Sequence, residues 1–140
     1  MLESCGGTCI IGGLQTFDQA GRYLSPTVVV EPRRDSQMMQ EEIFGPILPI
    51  LTYENFEEVI KFINSGDKPL SVYYAGNPGS KHFKRLVDET SSGNISANDV
   101  LTHTMDFENG FGGVGASGYG RVGGYESFKR WSNAKSIISK

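Results

Sequence analysis

Two adjacent carboxylates, an aromatic ring and a Gly-Pro corner follow one another in Glu41-Glu42-Ile43-Phe44-Gly45-Pro46, directly before the apolar run Ile47 to Leu51. Ionised carboxylates are acceptors only, so a fixed one selects hydroxyl, amide or cationic donors. Gly45 frees the backbone, and Pro46 stops any preceding helical turn and fixes the direction in which a strand leaves. Only one member of a Glu-Glu pair easily faces outward from such a corner, so the other must be held by a neighbour. Phe44 is then presented at the corner rather than hidden inside an element. The plainer reading is a helix end with solvated carboxylates and a locally packed ring.

The remaining chemistry-bearing residues are sparse. Cys5 and Cys9 lack a second pair to complete a zinc knuckle, and His82 and His103 are far downstream, so no metal site is expected. Without a signal peptide the two cysteines read as reduced, cytoplasmic thiols. Seven glycines fall between Gly112 and Gly124, and both Gly113 to Gly118 and Gly118 to Gly123 fit G-x-G-x-x-G. The dinucleotide fingerprint requires a strand before it, a helix opening within it and an acid about 20 residues on. Here Glu108-Asn109-Gly110 precedes, a helix begins near Tyr125, and the chain ends. A Rossmann site is therefore rejected. The glycines instead allow close backbone approach.

The elements that must position these groups alternate. Thr8-Cys9-Ile10-Ile11 reads as a short strand between glycine turns, and Thr27-Val28-Val29-Val30 as a β-branched strand closed by Pro32. Asp35 or Ser36 caps a short helical piece through Glu41. Ile47 to Leu51 is a strand that Pro49 assigns to an edge or bulge. Asn55 with Glu58 starts a helix whose Phe56, Val59, Ile60 and Ile63 form one buried stripe ended by Gly66. Leu70 to Ala75 is a strand. Ser80 opens a helix with Phe83, Leu86 and Val87 inward, a solvated basic face of Lys81, Lys84 and Arg85, and Gly93 as its end. Asn94 to Asn98 is the next strand. This order implies an α/β fold with a parallel sheet and crossover helices. Ser136-Ile137-Ile138-Ser139 reads as a last short strand with an open edge.

At 140 residues, 38 % hydrophobic and 21 % charged, the chain is a folded domain's worth rather than a disordered one. A net charge of −3 with no basic block argues against nucleic acid. No apolar run approaches the length of a membrane span.

Several motifs in order, from about Gly6 to Lys140, resemble the aldehyde dehydrogenase family. They are Tyr23-Leu24-Ser25-Pro26-Thr27, the Glu41 to Pro46 box, Lys68-Pro69-Leu70, Ser91-Ser92-Gly93, Ala97-Asn98-Asp99-Val100 and Phe111-Gly112-Gly113-Val114-Gly115. The Glu89-Thr90-Ser91-Ser92-Gly93 and Asn98-Asp99-Val100 forms resemble the class 3, fatty-aldehyde-type branch. The resemblance implies that residues 1–133 are the later part of the catalytic domain and residues 134–140 a strand for subunit pairing, as in a homodimer. It implies NAD or NADP as coenzyme, an aldehyde as substrate and a carboxylic acid as product. By the resemblance Glu42 binds the nicotinamide-side ribose hydroxyls and Phe44 packs against the same end of the coenzyme. Asn98, His103 and Phe111 fall where the family lines the aldehyde entrance.

The family's nucleophilic cysteine, general-base glutamate and coenzyme sheet precede the matching region, and neither Cys5 nor Cys9 aligns with a catalytic position. No catalytic residue is therefore assigned, and these 140 residues alone are expected to be inactive unless the missing N-terminal half is supplied. The rival expectation is a non-catalytic module that associates with full-length subunits. Two departures from the family pattern bear on loop geometry. Gly110 stands before Phe111-Gly112-Gly113 where proline is usual, and Ala116 stands before Ser117-Gly118 where asparagine is usual.

Overall fold

A computed structural model describes residues 1–140 as two compact units, Met1–Glu54 and Asn55–Lys140. In the first, strands β1 (Thr8–Ile11), β2 (Thr27–Val30) and β3 (Ile47–Ile50) form a sheet in the order β1-β2-β3, with a short helix α1 (Gln37–Gln40) between β2 and β3. β2 and β3 are parallel, as expected for strands joined through a helix, and Pro49 lies on the edge strand where its missing N–H breaks no inner ladder. β1 departs from the parallel expectation: it runs antiparallel to β2, with a register shift between Cys9 and Ile11. The segment between them carries a 3-10 turn (Leu14–Thr16) but no crossover helix, so the chain folds back over these residues and β2 returns antiparallel beside β1. The side chains of Cys5, Val29 and Met38 form the core, with Ile43 and Ile47 packed on it.

The second unit holds α2 (Phe56–Ser65), β4 (Ser71–Tyr74), α3 (Lys81–Glu89), β5 (Asn94–Ala97) and α4 (Gly124–Arg130). β4 and β5 are a separate two-stranded parallel sheet, with α3 as the connection. The Asn55 side chain accepts from the Glu58 amide and caps α2, and Ser80 caps α3 by accepting from the Phe83 amide at 3.1 Å. Ile60 and Leu86 are the buried members of the two helical stripes, while Phe56, Val59, Ile63 and Phe83, expected inward, are half-buried. Val87, expected inward, is half exposed, because it falls beyond the narrow face that α3 turns to its neighbours.

The basic face of α3 is more than solvated. Arg85 donates to Glu57 on α2 at 2.7 Å and to both carboxylate oxygens of Glu89. The guanidinium bonds hold the carboxyls of Glu57 and Glu89 below their usual range, and the two carboxylates raise Arg85. A carboxyl depressed in the folded chain contributes stability above its ordinary value and loses it as pH falls through the depressed one. The stability difference between the wild type and Arg85→Met is therefore expected at neutral pH and should vanish on acidification through that window, as read by denaturant titrations across pH.

Helix α3 ends at Thr90, whose hydroxyl bonds the Leu86 carbonyl, three residues before the expected Gly93 stop. Gly93 instead permits close packing. A Cβ there would meet the Gly112 and Leu70 carbonyl oxygens and the Gly113 Cα, all of them backbone. Gly93→Ala is expected to destabilise this unit by about 1–3 kcal/mol, the range for overpacking, measurable as a lower denaturation midpoint. Residues 134–140 belong to no ladder, because a strand exists only against a partner and none lies beside them in the single chain.

Candidate functional site

The acidic corner is built on the first unit. Glu41 caps the end of α1, and its carboxylate is held by the Gln37 side-chain amide at 3.0 and 3.2 Å. Glu42 is exposed and takes part in no hydrogen bond or ion pair of the chain. One member of the pair is thus held and the other presented. Ile43 packs on the core, and the Pro46 carbonyl accepts from the Thr27 amide at 2.8 Å, so the corner is fixed on both sides. Between these anchors Phe44 projects with 93 % of its surface exposed. An aromatic side chain held out on a braced backbone offers its ring to whatever covers it.

The second cluster lies on one face of the β4–β5 sheet. Strand alternation and register put Ser71, Tyr73, Asn94 and Ser96 on this face. His103, on a 3-10 turn over Thr102–Met105, reaches both strands: Ser71 Oγ lies 3.0 Å from its Nε2 and Ser96 Oγ 3.2 Å from its Nδ1. The Tyr73 and Phe111 rings stand 5.5 and 5.6 Å from the imidazole, centroid to centroid. Leu101, at φ 66°, turns the chain back to deliver His103. Left-handed backbone is uncommon for such a side chain and persists where the surroundings determine it. Beyond the turn, Asp106 accepts from the Glu108 and Asn109 amides and the Asn109 side chain, which keeps its carboxyl below the ordinary value.

Of the expected site residues, His103 and Phe111 are brought together here. Asn98 is at the end of β5, and its side chain accepts from Gly76 N and donates to Gly76 O, both at 2.8 Å, which supports its φ of 58°. Glu42 and Phe44 belong to the other unit. Ser71, Ser96 and Asn94 were missed by sequence reasoning. The signal was their alternation with Val72, Tyr74, Ile95 and Ala97, which marks a polar sheet face under a loop.

Arg121 was missed as well. Its guanidinium donates to the Gly93 carbonyl at 2.6 Å, the Gly110 carbonyl at 3.1 Å and Asn94 Oδ1 at 3.4 Å, stapling the glycine loop to the start of β5. Gly110 sits at φ 67°, a conformation proline cannot adopt, so this loop as it stands requires the glycine. Ser117 Oγ accepts from the Val114 amide and donates to its carbonyl, both at 2.9 Å, so the loop is pinned beside the exposed Ala116.

Cys5 is buried with its Sγ on the Leu2 carbonyl, whereas Cys9 is exposed with its Sγ donating to the Ile11 carbonyl, and neither thiol has a basic side chain as its hydrogen-bond partner. A cavity of about 250 Å³ between the end of α3 and the start of β5, lined by Leu86, Thr90, Ser92 and Ile95, contains none of the expected site residues.

Residues 2–137 match the family model "Aldehyde dehydrogenase family", and the chain belongs to that family. It is 45 % identical over 125 residues to the dimeric NADP-preferring aldehyde dehydrogenase of Rattus norvegicus, covering 89 % of this chain and 27 % of the relative. It is 46 % identical over 123 residues to aldehyde dehydrogenase family 3 member A2 of the same organism, covering 88 % and 25 %. The chain thus spans about a quarter of the length of these relatives. Among solved structures, the substrate-bound AldH of Staphylococcus aureus superposes with a TM-score of 0.83 at 39 % identity, over 99 % of this chain and 31 % of that one. The indole-3-acetaldehyde dehydrogenase AldA of P. syringae, in complex with NAD+ and IAA, gives 0.79 at 28 % identity, over 96 % and 27 %.

Proposed function

We propose that this chain supplies the nicotinamide-ribose corner and part of the aldehyde-facing wall of an NAD(P)-dependent aldehyde dehydrogenase. The overall reaction converts an aldehyde, water and oxidised coenzyme into a carboxylic acid, reduced coenzyme and a proton. The observation that carries the reading is the corner itself, where an unpaired Glu42 carboxylate and an outstanding Phe44 ring sit on a braced backbone. The donor set fits the group: two carboxylate oxygens match a vicinal diol, and an exposed ring matches a flat heterocycle. The coenzyme, when bound, would take up the hydrogen and electron pair lost by the aldehyde carbon. Glu42 would hold the ribose by accepting from its hydroxyls, and Phe44 would limit where the nicotinamide end can lie. His103 and Phe111 would close one side of the aldehyde path.

The name of the rat relative, dimeric and NADP-preferring, supports a homodimer and leaves NADP beside NAD as coenzyme. The two free thiols favour a cytoplasmic setting.

The test is reconstitution. The purified 140-residue chain alone is expected to form no reduced nicotinamide with aliphatic or aromatic aldehydes, since both thiols bond only backbone carbonyls and neither has a basic side chain to activate it. Supplied together with the upstream part of a family 3 relative, which brings a coenzyme sheet and cysteine, it should restore turnover. Turnover by the chain alone that is lost in Cys9→Ser would overturn this assignment of roles.

A further inference from the structure

His103 is engaged at both ring nitrogens by side chains from two different strands, Ser71 at Nε2 (3.0 Å) and Ser96 at Nδ1 (3.2 Å). The register pairs Ser71 with Asn94 and Tyr73 with Ser96, so the serines stand diagonally across one sheet face, far enough apart to span an imidazole. Tyr73 and Phe111 bound the same ring from its sides. Its orientation is therefore determined by four neighbours.

The partners matter as much as the geometry. A neutral imidazole has one N–H donor and one bare nitrogen acceptor, and the cation has two donors. A carboxylate or carbonyl partner accepts only, and so fixes which nitrogen carries the proton. A serine hydroxyl does either. With a hydroxyl at each nitrogen, both neutral tautomers keep both hydrogen bonds, and so does the imidazolium.

We propose that Ser71 and Ser96 are positioning residues for His103: they fix the orientation of its imidazole while leaving the proton free to reside on either nitrogen. Because both nitrogens are engaged, His103 does not offer them to an aldehyde while the clamp is closed. It acts by holding the Phe111 ring in place. What this wall faces rests on the aldehyde dehydrogenase reading above, whereas the clamp is a property of this chain alone.

The experiment is a long-range 1H–15N correlation spectrum of the histidine-labelled 140-residue chain at a pH where His103 is neutral. In the wild type both nitrogens of His103 should give intermediate shifts, the signature of two exchanging tautomers. In Ser71→Ala the proton should move toward Nδ1, since an N–H left without a partner is tolerated less well than an acceptor left without one. In Ser96→Ala it should move toward Nε2. Each tautomer of an alanine variant loses one hydrogen bond, so the ratio should move in the stated direction by less than the about fivefold that one whole net hydrogen bond would give. Ser71→Thr and Ser96→Thr keep the hydroxyl and should retain the wild-type ratio, and their backbone amide spectra check that the fold is kept.

Opposite displacements in the two alanine variants support the clamp. Unchanged ratios, displacements in the same direction, or threonine variants that behave like alanine overturn it. None of these spectra depends on aldehyde turnover, so failure of the clamp and failure of the functional reading are separately visible.

Discussion

Glu42→Gln, introduced into the reconstituted enzyme, is expected to lower coenzyme-dependent turnover by roughly ten- to a hundredfold while leaving the fold intact. The amide keeps one acceptor oxygen and loses the charge, so one charged hydrogen bond to the ribose is weakened or lost, roughly 1.5–3 kcal/mol. The effect should appear in the coenzyme KM and in kcat, and not in the aldehyde KM. The fold should be spared because Glu42 is exposed and supports nothing in its own unit, in contrast to Glu41, which Gln37 holds. Glu41→Gln is the internal control: it keeps most of the Gln37 contact and should leave coenzyme use near wild type. If Glu42→Gln has the kinetics of the control, Glu42 is a solvated helix-end carboxylate and the coenzyme corner is misassigned.

The second expected result concerns association. Trp131, Ile137 and Ile138 are 89 %, 85 % and 89 % exposed, and Tyr125 and Phe128 on α4 are also open to solvent. Large apolar side chains this exposed mark surface that a partner can cover. Residues 134–140 carry unpaired backbone groups that a second chain can engage as a ladder. The 140-residue chain is therefore expected to dimerise or form larger species, as seen by light scattering. Ile138→Pro removes a backbone donor, and with it one or two ladder bonds at ~1 kcal/mol each, so association should weaken by about tenfold or more. The denaturation midpoint should barely move, since residue 138 contributes nothing to the core. A monodisperse monomer at high concentration would contradict the proposed pairing role of the C-terminal residues.

The sequence reveals most where a local rule has no competitor. The helix starts at Asn55 with Glu58 and at Ser80 depend on residues within a few positions of each other and stand as expected, whereas of the α2 stripe only Ile60 is buried, with Phe56, Val59 and Ile63 half-buried. The departures involve partners distant in the chain. Whether β1 runs with or against β2 depends on the path of the residues between them, which periodicity does not specify. Gly93 reads as a helix stop from its neighbours, but the Leu70 and Gly112 carbonyls that leave no room for a Cβ lie 23 and 19 residues away. Arg85 reads as one base on a wet face until α2 brings Glu57 to it across 28 residues.

The candidate site divides the same way. Glu42, Phe44, His103 and Phe111 stand out through the family resemblance of contiguous motifs. The residues that hold His103 come from β4, 32 residues before it, and from β5, seven before it, and no motif contains them together. Arg121 is hidden likewise, as one cation in a glycine-rich run whose three acceptors become neighbours only after the loop closes.

The most direct test of the central claim is a structure of the reconstituted enzyme with oxidised nicotinamide dinucleotide bound. The Glu42 carboxylate should accept hydrogen bonds from both hydroxyls of the nicotinamide ribose, at about 2.5–2.7 Å, with the Phe44 ring against the same end of the coenzyme. A ribose held by other residues, with Glu42 and Phe44 still facing solvent, would contradict it.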